Sequence, residues 1–504
     1  MSATVQSIAI AGDDCPVIDV ECNMSNGLPN LLIVGFANKA VEEARERVRS
    51  AFSNSDLDMP KKRIIINLAP ADLPKESPSF DAAIATSILL ASGQVKQRPP
   101  QKTLIMGELG LDGSIRPVRG IIGAIISGKK KGFTTFYIPK KNQRQAALIP
   151  DITVIPVNSL REIYLDLTKT VQISPLIPKD SHYIHKQQES ATDFCHVVGQ
   201  ARAKRALEIA AAGAHNILLN GPPGTGKSML AKAIPSILAP LELDEILEIT
   251  HLHSLATKQF DKILTNRPFR SPHHSASEIA IIGGGQKPRP GEISLSHRGV
   301  LFFDEFPEFD RNVIEALRQP LEDKTITVTR AKDSFTFPAD FILVATANPC
   351  PCGYYGTDKT CSCMPSQIVK YQRKLSGPII DRIDMHIDVE EVQHEHLLKD
   401  GREENSQTIR QRVIKARSAQ QKRFSNPSKT NSTLTNQEIK RHAQLDTTAE
   451  KLLNDAAKRL DISPRSYMRL IKVARTIADL DDSNNVTVPH ISEALQYRRQ
   501  TTQL

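Results

Sequence analysis

Hydrophobic and polar positions follow three different patterns along this chain. Up to about residue 170, short apolar runs of β type at 64–68, 103–106 and 134–138 alternate with helical segments at 38–53 and 80–92. This mixture predicts a compact α/β domain at 1–170. Residues 171–191 are polar, contain two prolines and show no period, which predicts a linker between domains.

The pattern from residue 192 to 392 predicts a second α/β domain. A helix at 201–212 precedes a strand at 216–219, a glycine-rich loop and another helix, and apolar strands follow at 300–303 and 341–345. This order is typical of a parallel sheet with crossover helices. Amphipathic segments at 406–422, 449–460 and 464–478 then predict a helical lid at 393–504.

Composition changes this picture little, but it excludes several protein classes. The chain has 504 residues, 40% of them hydrophobic and 24% charged, which is usual for a globular protein of several domains. No run of eighteen apolar residues and no basic leader with an apolar core is present, so we expect a cytoplasmic protein with no membrane partner. The seven scattered or clustered cysteines do not form a secreted disulfide framework.

Charge is distributed unevenly. The formal net charge is +9, and the residues from His396 onward hold 20 Lys and Arg against 12 Asp and Glu. Nearly all of the basic surplus therefore lies in the last fifth of the chain. Such a surplus indicates a polyanion partner for the lid.

The segment 217–228 (ILLNGPPGTGKS) predicts a phosphate-binding loop. An apolar strand enters the pattern G-x-x-x-x-G-K-S and a helix leaves it, so backbone N–H groups and the helix N-terminus can surround a phosphate. Lys227 would reach the β- and γ-phosphates of ATP, and Ser228 would bind Mg²⁺. The predicted loop residues are Gly221, Pro222, Pro223, Gly224, Thr225, Gly226, Lys227 and Ser228.

A second apolar strand ends in two acids, in the segment GVLFFDEF at 299–306. Asp304 would hold the Mg²⁺ shell, and Glu305 would polarise the attacking water. The next strand ends at Asn348, whose amide can orient that water. The alternatives are a surface acidic pair and an asparagine that ends its strand through turn chemistry.

Four cysteines form two C-x-C pairs separated by eight residues: Cys350, Cys352, Cys361 and Cys363. Four thiolates on one short loop suit a tetrahedral structural Zn²⁺. The spacing is tighter than the usual C-x-x-C, and reduced thiols without metal are the alternative. Since the loop starts two residues after Asn348, a metal here would stiffen that residue.

The order of these motifs resembles the magnesium-chelatase-like branch of AAA+ ATPases and, within it, the YifB/ComM family. The resemblance rests on the segments 288–305 (PRPGEISLSHRGVLFFDE), 316–323 (ALRQPLED), 345–356 (ATANPCPCGYYG), 375–384 (LSGPIIDRID) and 472–480 (KVARTIADL). It implies a homohexameric ring with nucleotide bound between subunits.

The resemblance also implies roles for residues that no local pattern singles out. Arg382 matches the position of the arginine finger, and Arg465 matches the sensor arginine of the lid, with Arg469 as a rival. Val197 and Val198 match the segment that lies over the adenine. Without the family, each arginine would be interpreted as a surface ion-pair residue.

The family implies an output on DNA. Its members are described as helicases that drive branch migration during recombination of incoming DNA in naturally competent bacteria. A hairpin-like stretch at 325–337 bears Arg330 and Lys332 at its tip, and an insert at 269–299 is rich in Arg, His and Gly. Both would face the pore of a ring, although a plain β-turn with solvated charges also explains the hairpin.

Two other outputs use the same ATPase core: a magnesium-chelatase motor subunit and an ATP-dependent protease or protein remodeller. The segments 74–79 and 107–120 resemble the proteolytic domain of Lon, with Ser79 at the nucleophile position. The activating lysine aligns with Ile122, which cannot accept a proton. We therefore expect a domain without peptidase activity and with a structural or DNA-guiding role.

Overall fold

The structure is a computed structural model that describes every residue except 1, 10–14, 36–42, 72, 74, 76–77, 179–191, 258, 286–288, 330–333, 375–377, 393–402 and 499–504. The chain divides into two compact units. The first comprises Met1–Ile184 and Leu243–Leu264, and the second comprises His185–Glu242 and Thr265–Leu504. No described helix has both the length and the apolar composition needed to cross a membrane.

The first unit contains a mixed sheet, a parallel sheet and a small hairpin. The mixed sheet has the order β1-β2-β4-β3, in which only β3 and β4 are parallel, and the parallel sheet has the order β5-β8-β9. Their strands are β1 (Ser2–Ile8), β2 (Val17–Ser25), β3 (Asn30–Val34), β4 (Arg63–Ala69), β5 (Thr103–Ile105), β6 (Glu108–Leu109), β7 (Ile115–Arg116), β8 (Thr135–Pro139) and β9 (Thr153–Val157).

Helices complete the core of the first unit. They span Ala44–Asn54, Asp81–Ala91, Ile121–Lys130, Gln143–Ala146 and Leu160–Leu167. The helix Asp81–Ala91 is buried on nearly every side, as its run of alanine, isoleucine and leucine requires. The structure differs from the sequence prediction at the end of this domain. Leu176, inside the predicted linker, exchanges backbone hydrogen bonds with Val154 at 2.8 and 2.9 Å, so this unit continues past residue 170.

A helix from the middle of the chain, Leu243–Ala256, also belongs to the first unit. His251 Nδ1 accepts the Gly123 N–H at 3.2 Å, and Ser254 Oγ accepts the Gly120 N–H at 3.2 Å. A side chain at Gly123 would collide with the His251 ring, since an added Cβ would lie 2.3 Å from its Cε1. The chain therefore leaves the second unit after Glu242 and returns to it at Thr265.

The second unit is built on a five-stranded parallel sheet with the order β11-β14-β17-β10-β18. Its strands are β10 (Ile217–Asn220), β11 (Phe269–Arg270), β14 (Val300–Phe303), β17 (Ile342–Ala347) and β18 (Met385–Asp388). Every residue of β14 and β17 is buried, as expected for strands covered on both faces. Two hairpins stand apart from this sheet: β12 (Gly283–Gly284) with β13 (Arg289–Pro290), and β15 (Thr325–Thr329) with β16 (Ser334–Pro338).

Helices surround this sheet and form the lid. Those before the lid span Ala201–Gly213, Lys227–Ala233, Glu278–Ile282, Glu292–Leu295, Arg311–Ala316, Arg318–Asp323 and Pro365–Lys374. The lid helices span Ser406–Phe424, Asn436–His442, Thr447–Arg459, Pro464–Leu480 and Val488–Gln496. Lid and sheet share one hydrophobic cluster. The predicted α/β class, with a P-loop domain, a helical lid and a preceding α/β domain, is confirmed.

Candidate functional site

The parallel sheet of the second unit brings three loops to one edge. The phosphate loop follows β10, Asp304 follows β14 and Asn348 follows β17. Ligands of such sheets bind at the carboxyl ends of the strands. Because β17 lies between β10 and β14, Asn348 lies between the glycine-rich loop and the acidic pair.

Lys227 is held inside the phosphate loop. Its ammonium group donates to the carbonyl oxygens of Gly221 at 2.6 Å and Pro222 at 2.7 Å, and to Asn348 Oδ1 at 3.3 Å. Burial lowers the pKa of Lys227, and the two carboxylates that follow β14 oppose that shift. The residues predicted for phosphate binding and for orienting water are thus in contact.

A magnesium site fits the oxygen atoms beside this lysine. Ser228 Oγ donates to Asp304 Oδ2 at 2.9 Å, and Thr346 Oγ1 donates to Asp304 Oδ1 at 2.6 Å. Hydroxyl and carboxylate oxygens are the ligands that Mg²⁺ prefers. The side chains of Ser228 and Asp304 therefore converge as the sequence predicts for a shared cation.

Glu305 is exposed, and its backbone is in the left-handed region at φ 53° and ψ 50°. Such a conformation costs a non-glycine residue about 1–3 kcal/mol and persists only where neighbours enforce it. Thr346 Oγ1 accepts the Glu305 N–H at 2.9 Å. Thr346 is not predicted from the sequence, although a polar residue within the apolar strand β17 is a usable signal.

The predicted adenine segment lies beside the phosphate loop. Val197 is buried and Val198 is half-buried. The amide of Gln200, which the sequence analysis also missed, donates to the carbonyl oxygens of Thr225 at 3.3 Å and Glu390 at 2.6 Å. Gln200 thus ties this segment to the loop that would hold the phosphates.

The two predicted arginines lie at the other edge of the sheet. Asn216 immediately precedes β10, and its amide donates to the Arg382 carbonyl oxygen at 3.5 Å. The Asn216 N–H also donates to Asp384 Oδ2 at 3.0 Å, just before β18. Since the phosphate loop follows the opposite end of β10, the backbone of Arg382 lies about a strand length, roughly 13 Å, from its own phosphate loop.

One carboxylate joins both arginines. Glu322 Oε2 lies 2.8 Å from Arg382 Nη2, and Glu322 Oε1 accepts a hydrogen bond from Arg465. The hydrogen bond from Arg382, followed by that from Arg465, lowers the pKa of Glu322. The three arginines Arg382, Arg465 and Arg469 line one cavity of about 740 Å³. Arg469, the alternative candidate for the sensor arginine, lies 3.6 Å from Asp384 there. The cavity is a cationic site distinct from the phosphate loop.

The four cysteines of the predicted metal loop converge. Their sulfur atoms all lie within 4.8 Å of one another, with Cys350–Cys352 at 3.4 Å, Cys350–Cys361 at 3.8 Å and Cys352–Cys361 at 3.5 Å. A tetrahedral zinc with bonds of about 2.3 Å separates its sulfur ligands by about 3.8 Å. The donor set fits Zn²⁺.

Neither of the two positions that match the serine–lysine dyad of Lon lies at the surface of the first unit. Ser79 and Ile122 are both fully buried. The nearby Lys129 donates to the Pro150 carbonyl oxygen at 2.8 Å and pairs with Asp151 at 3.2 Å. Ile122 has no titratable group, so the chemistry of a serine–lysine dyad is absent at this position.

The hairpin predicted to touch DNA is formed by β15 and β16, paired from Thr325 and Pro338 to Thr329 and Ser334. Its predicted contact residues, Arg330 and Lys332, lie outside the described residues. In the described part of the 269–299 insert, the guanidinium of Arg270 is paired with Glu292.

Comparison with protein families matches most of the chain. The model described as "Magnesium chelatase, subunit ChlI" matches residues 193–397, "Subunit ChlI of Mg-chelatase" matches 20–142, and "Magnesium chelatase, subunit ChlI C-terminal" matches 403–498. Competence protein ComM of Haemophilus influenzae is 42% identical over 501 residues, which cover 98% of this chain and 97% of ComM.

Two further relatives complete the comparison. The YifB protein of Escherichia coli is 41% identical over 498 residues, which cover 98% of this chain and 96% of YifB. The Lon protease of Dictyoglomus thermophilum is 29% identical over 149 residues, which cover 28% of this chain and 18% of the protease. The Lon similarity is partial and concerns the N-terminal region.

Proposed function

Since this chain belongs to the YifB/ComM family of magnesium-chelatase-like AAA+ ATPases, we propose that it is a homohexameric, ATP-driven motor that acts on DNA. The observation that carries the proposal is the separation of two half-sites on one chain. The phosphate loop lies at one edge of the sheet, and Arg382 and Arg465 lie at the other. In a ring of identical chains, the phosphate loop of one subunit would meet the two arginines of the next.

Within one half-site, the described contacts support a division of labour for ATP hydrolysis. Lys227 binds the β- and γ-phosphates, Ser228 and Asp304 hold Mg²⁺, and Asn348 orients the attacking water. Mg²⁺ would neutralise the charge that develops on the phosphate oxygens. Glu305, held by the Thr346 hydroxyl, takes the proton from water as general base.

In the other half-site, the arginines serve the nucleotide of the adjacent subunit. A guanidinium donates in a planar fork, which suits phosphate oxygens as negative charge develops on them. Arg382 and Arg465 both bond to Glu322, so their guanidinium groups lie side by side. This common placement favours the same assignment for both: each acts on a neighbour's ATP.

The proposed output is branch migration of DNA, as a helicase, during recombination of incoming DNA in natural transformation. The printed name of the Haemophilus relative, a competence protein, supports this choice. So does the basic surplus after residue 396, because a phosphate backbone binds clustered Lys and Arg without regard to sequence. In the ring, the hairpin of β15 and β16 would present Arg330 and Lys332 to the strand in the pore.

The cysteine loop is proposed to hold one structural Zn²⁺. Four sulfur ligands close the coordination shell, so the metal would have no open position for catalysis. Purified protein is expected to contain about one zinc per chain. Four freely titrating thiols in native protein with no metal would eliminate this site.

The function is tested by measuring ATP hydrolysis with and without forked or four-way DNA. The proposal predicts a rate that rises several-fold with branched DNA, and strand displacement that requires ATP. Glu305→Gln should lose both while its rings still bind nucleotide and DNA. A hydrolysis rate indifferent to every DNA tested would exclude the DNA motor and leave a chelatase-type motor subunit or a protein remodeller.

A further inference from the structure

The cysteine loop, residues 350–363, lies directly against the phosphate loop. Gly353 adopts φ +87°, and a Cβ added to it would lie 2.5 Å from Pro223 Cδ and 3.1 Å from Pro223 Cγ. Only a residue without a side chain permits this approach. Pro223 belongs to the segment predicted to surround the phosphates, so the two loops share a packed contact.

One exposed ion pair joins the cysteine loop to the segment after β18, and that segment in turn packs on the phosphate loop. Lys359 pairs with Glu391 at 2.8 Å, in the segment after β18. Val389, in the same segment, presents its carbonyl oxygen to Gly221, where an added Cβ would lie 2.3 Å from that oxygen. The cysteine loop therefore touches the phosphate loop at Pro223 and is tied to the segment that packs on Gly221.

The cysteine loop is held by hydrogen bonds within its turns rather than by an apolar core. Residues 350–363 contain no helix or strand, and only Cys350 and Gly353 are buried among them. The Tyr355 N–H donates to Cys350 Sγ at 3.3 Å, and the Gly353 N–H donates to the Cys350 carbonyl oxygen at 3.0 Å. Beyond these turns, a metal bound by the four sulfur atoms would be the strongest cross-link within the loop.

We propose that the metal-loaded cysteine loop buttresses the phosphate loop, so that metal occupancy controls nucleotide affinity. The inference rests on the zinc site proposed above and goes beyond it, because a structural metal elsewhere in the chain would not affect ATP binding. In the metal-loaded state, Gly353 presses on Pro223 and limits the conformations of the phosphate loop. Without metal, this support is lost and the loop binds ATP more weakly.

Two glycines of the cysteine loop provide a matched test in the full-length protein. Gly353→Ala should retain zinc but displace Pro223, and it should bind a fluorescent ATP analogue with Mg²⁺ at least 10-fold more weakly than the unmodified protein. Gly356 has a similar left-handed φ of +78°, yet an added Cβ there meets nothing within 4 Å. Gly356→Ala carries the same backbone strain without the contact and should bind the analogue normally.

Metal dependence is tested by replacing Cys361 and Cys363 together with serine, with Ser362→Ala as the control. The double variant should lose zinc and bind the analogue at least 10-fold more weakly, while Ser362→Ala keeps both properties. If the unmodified protein contains zinc but all variants bind the analogue with equal affinity, the proposed support of the phosphate loop is wrong, and the zinc site is retained. No zinc in the unmodified protein would overturn the zinc site, and metal control of affinity with it.

Discussion

The hydroxyl of Thr346 connects the two acids of the site. It accepts the Glu305 N–H and donates to Asp304, while it is itself 1% exposed. The backbone of Glu305 is strained, and this bond is one of the contacts that enforce it. At the scale of single residues, the site thus depends on a side chain that would touch neither phosphate nor water.

Glu305→Gln is expected to retain ATP binding and to lose at least 10²-fold in hydrolysis, because general-base catalysis contributes about 10²–10⁴-fold. Binding of a fluorescent ATP analogue and steady-state turnover check the two halves of this expectation. Glu308→Gln, an exposed neighbour, is the control and should hydrolyse normally. Near-normal turnover of Glu305→Gln would refute the assignment of the base.

Thr346→Ala leaves the Glu305 N–H and an Asp304 oxygen without this partner, at a cost of about 1–3 kcal/mol. We expect kcat to fall roughly 10-fold, because Glu305 is then held less firmly in position, and a loss of about 1.4 kcal/mol of transition-state stabilisation corresponds to that factor. Thr346→Ser keeps the hydroxyl and should restore most of the rate. Equal rates for the alanine and serine variants would show that the hydroxyl is not needed.

The sequence predicts site residues that act through a recognisable spacing, and it misses those that act through their neighbours. Lys227, Ser228 and Asp304 follow from the two strand-and-loop patterns, and the structure brings them together. Thr346 and Gln200 bond to backbone groups of residues that are distant in sequence. A polar residue in an apolar strand marks Thr346 as unusual, but its bonding partners depend on the order of strands in the sheet, which no local pattern reports.

At the scale of elements, a buried polar network holds the lid together. Arg475 is 1% exposed, and its guanidinium donates to Asp479 at 2.9 Å and to the Asn484 carbonyl oxygen at 2.6 Å. Asn431 donates to Asp479 at 2.8 Å. Burial lowers the pKa of Arg475, while its attraction to Asp479 opposes that shift. Arg423 also donates to both Asp479 oxygens, so the lid contains one buried carboxylate shared by two arginines.

Arg475→Met should destabilise the protein by about 1–3 kcal/mol, because it removes the buried hydrogen bonds of the guanidinium, while Arg423 still donates to both oxygens of Asp479. Chemical denaturation, followed by the loss of helical signal, measures the change. The exposed pair of Lys415 and Asp482, 2.9 Å apart, offers a contrast, and Lys415→Met should cost less than about 1 kcal/mol. Equal effects of the two changes would contradict the buried role of Arg475.

Elements with a strong local period were predicted closely. The strand predicted at 300–303 is β14, and the helices predicted at 201–212 and 464–478 each gain one or two residues in the structure. The placement of the helix Leu243–Ala256 in the first unit was not predicted. It depends on contacts such as that of His251 with the Gly123 N–H, across more than a hundred residues of chain.

At the scale of the whole molecule, the basic lid and the hairpin would be competing sources of the proposed DNA affinity. Replacing Arg330 and Lys332 with alanine should abolish DNA-stimulated hydrolysis and strand displacement, while basal hydrolysis and ring assembly survive. Lys451 and Lys458 are exposed on one lid helix, and their replacement is the matched control. It should weaken DNA binding uniformly across sequences and reduce its salt dependence without uncoupling hydrolysis from movement.

Unwinding of a forked duplex at the unmodified rate by the hairpin variant would show that these two residues do not drive DNA. The insert at 269–299 would then be the next candidate. Ring assembly, in contrast with the two α/β units and the lid, is not encoded in any pattern within a single chain. We propose it from the family and from the separation of the two half-sites.

The central claim, that each ATP site is completed by an adjacent subunit, is tested most directly by mixing two inactive variants. Arg382→Ala retains an intact phosphate loop, and Lys227→Ala retains an intact arginine edge. Alone, neither protein should hydrolyse ATP, but mixed rings contain some interfaces in which both halves are intact. Measured against the mixing ratio, hydrolysis should reappear and peak near equal amounts. No recovery in rings shown to contain both variants would contradict a shared site and place Arg382 within its own subunit's chemistry.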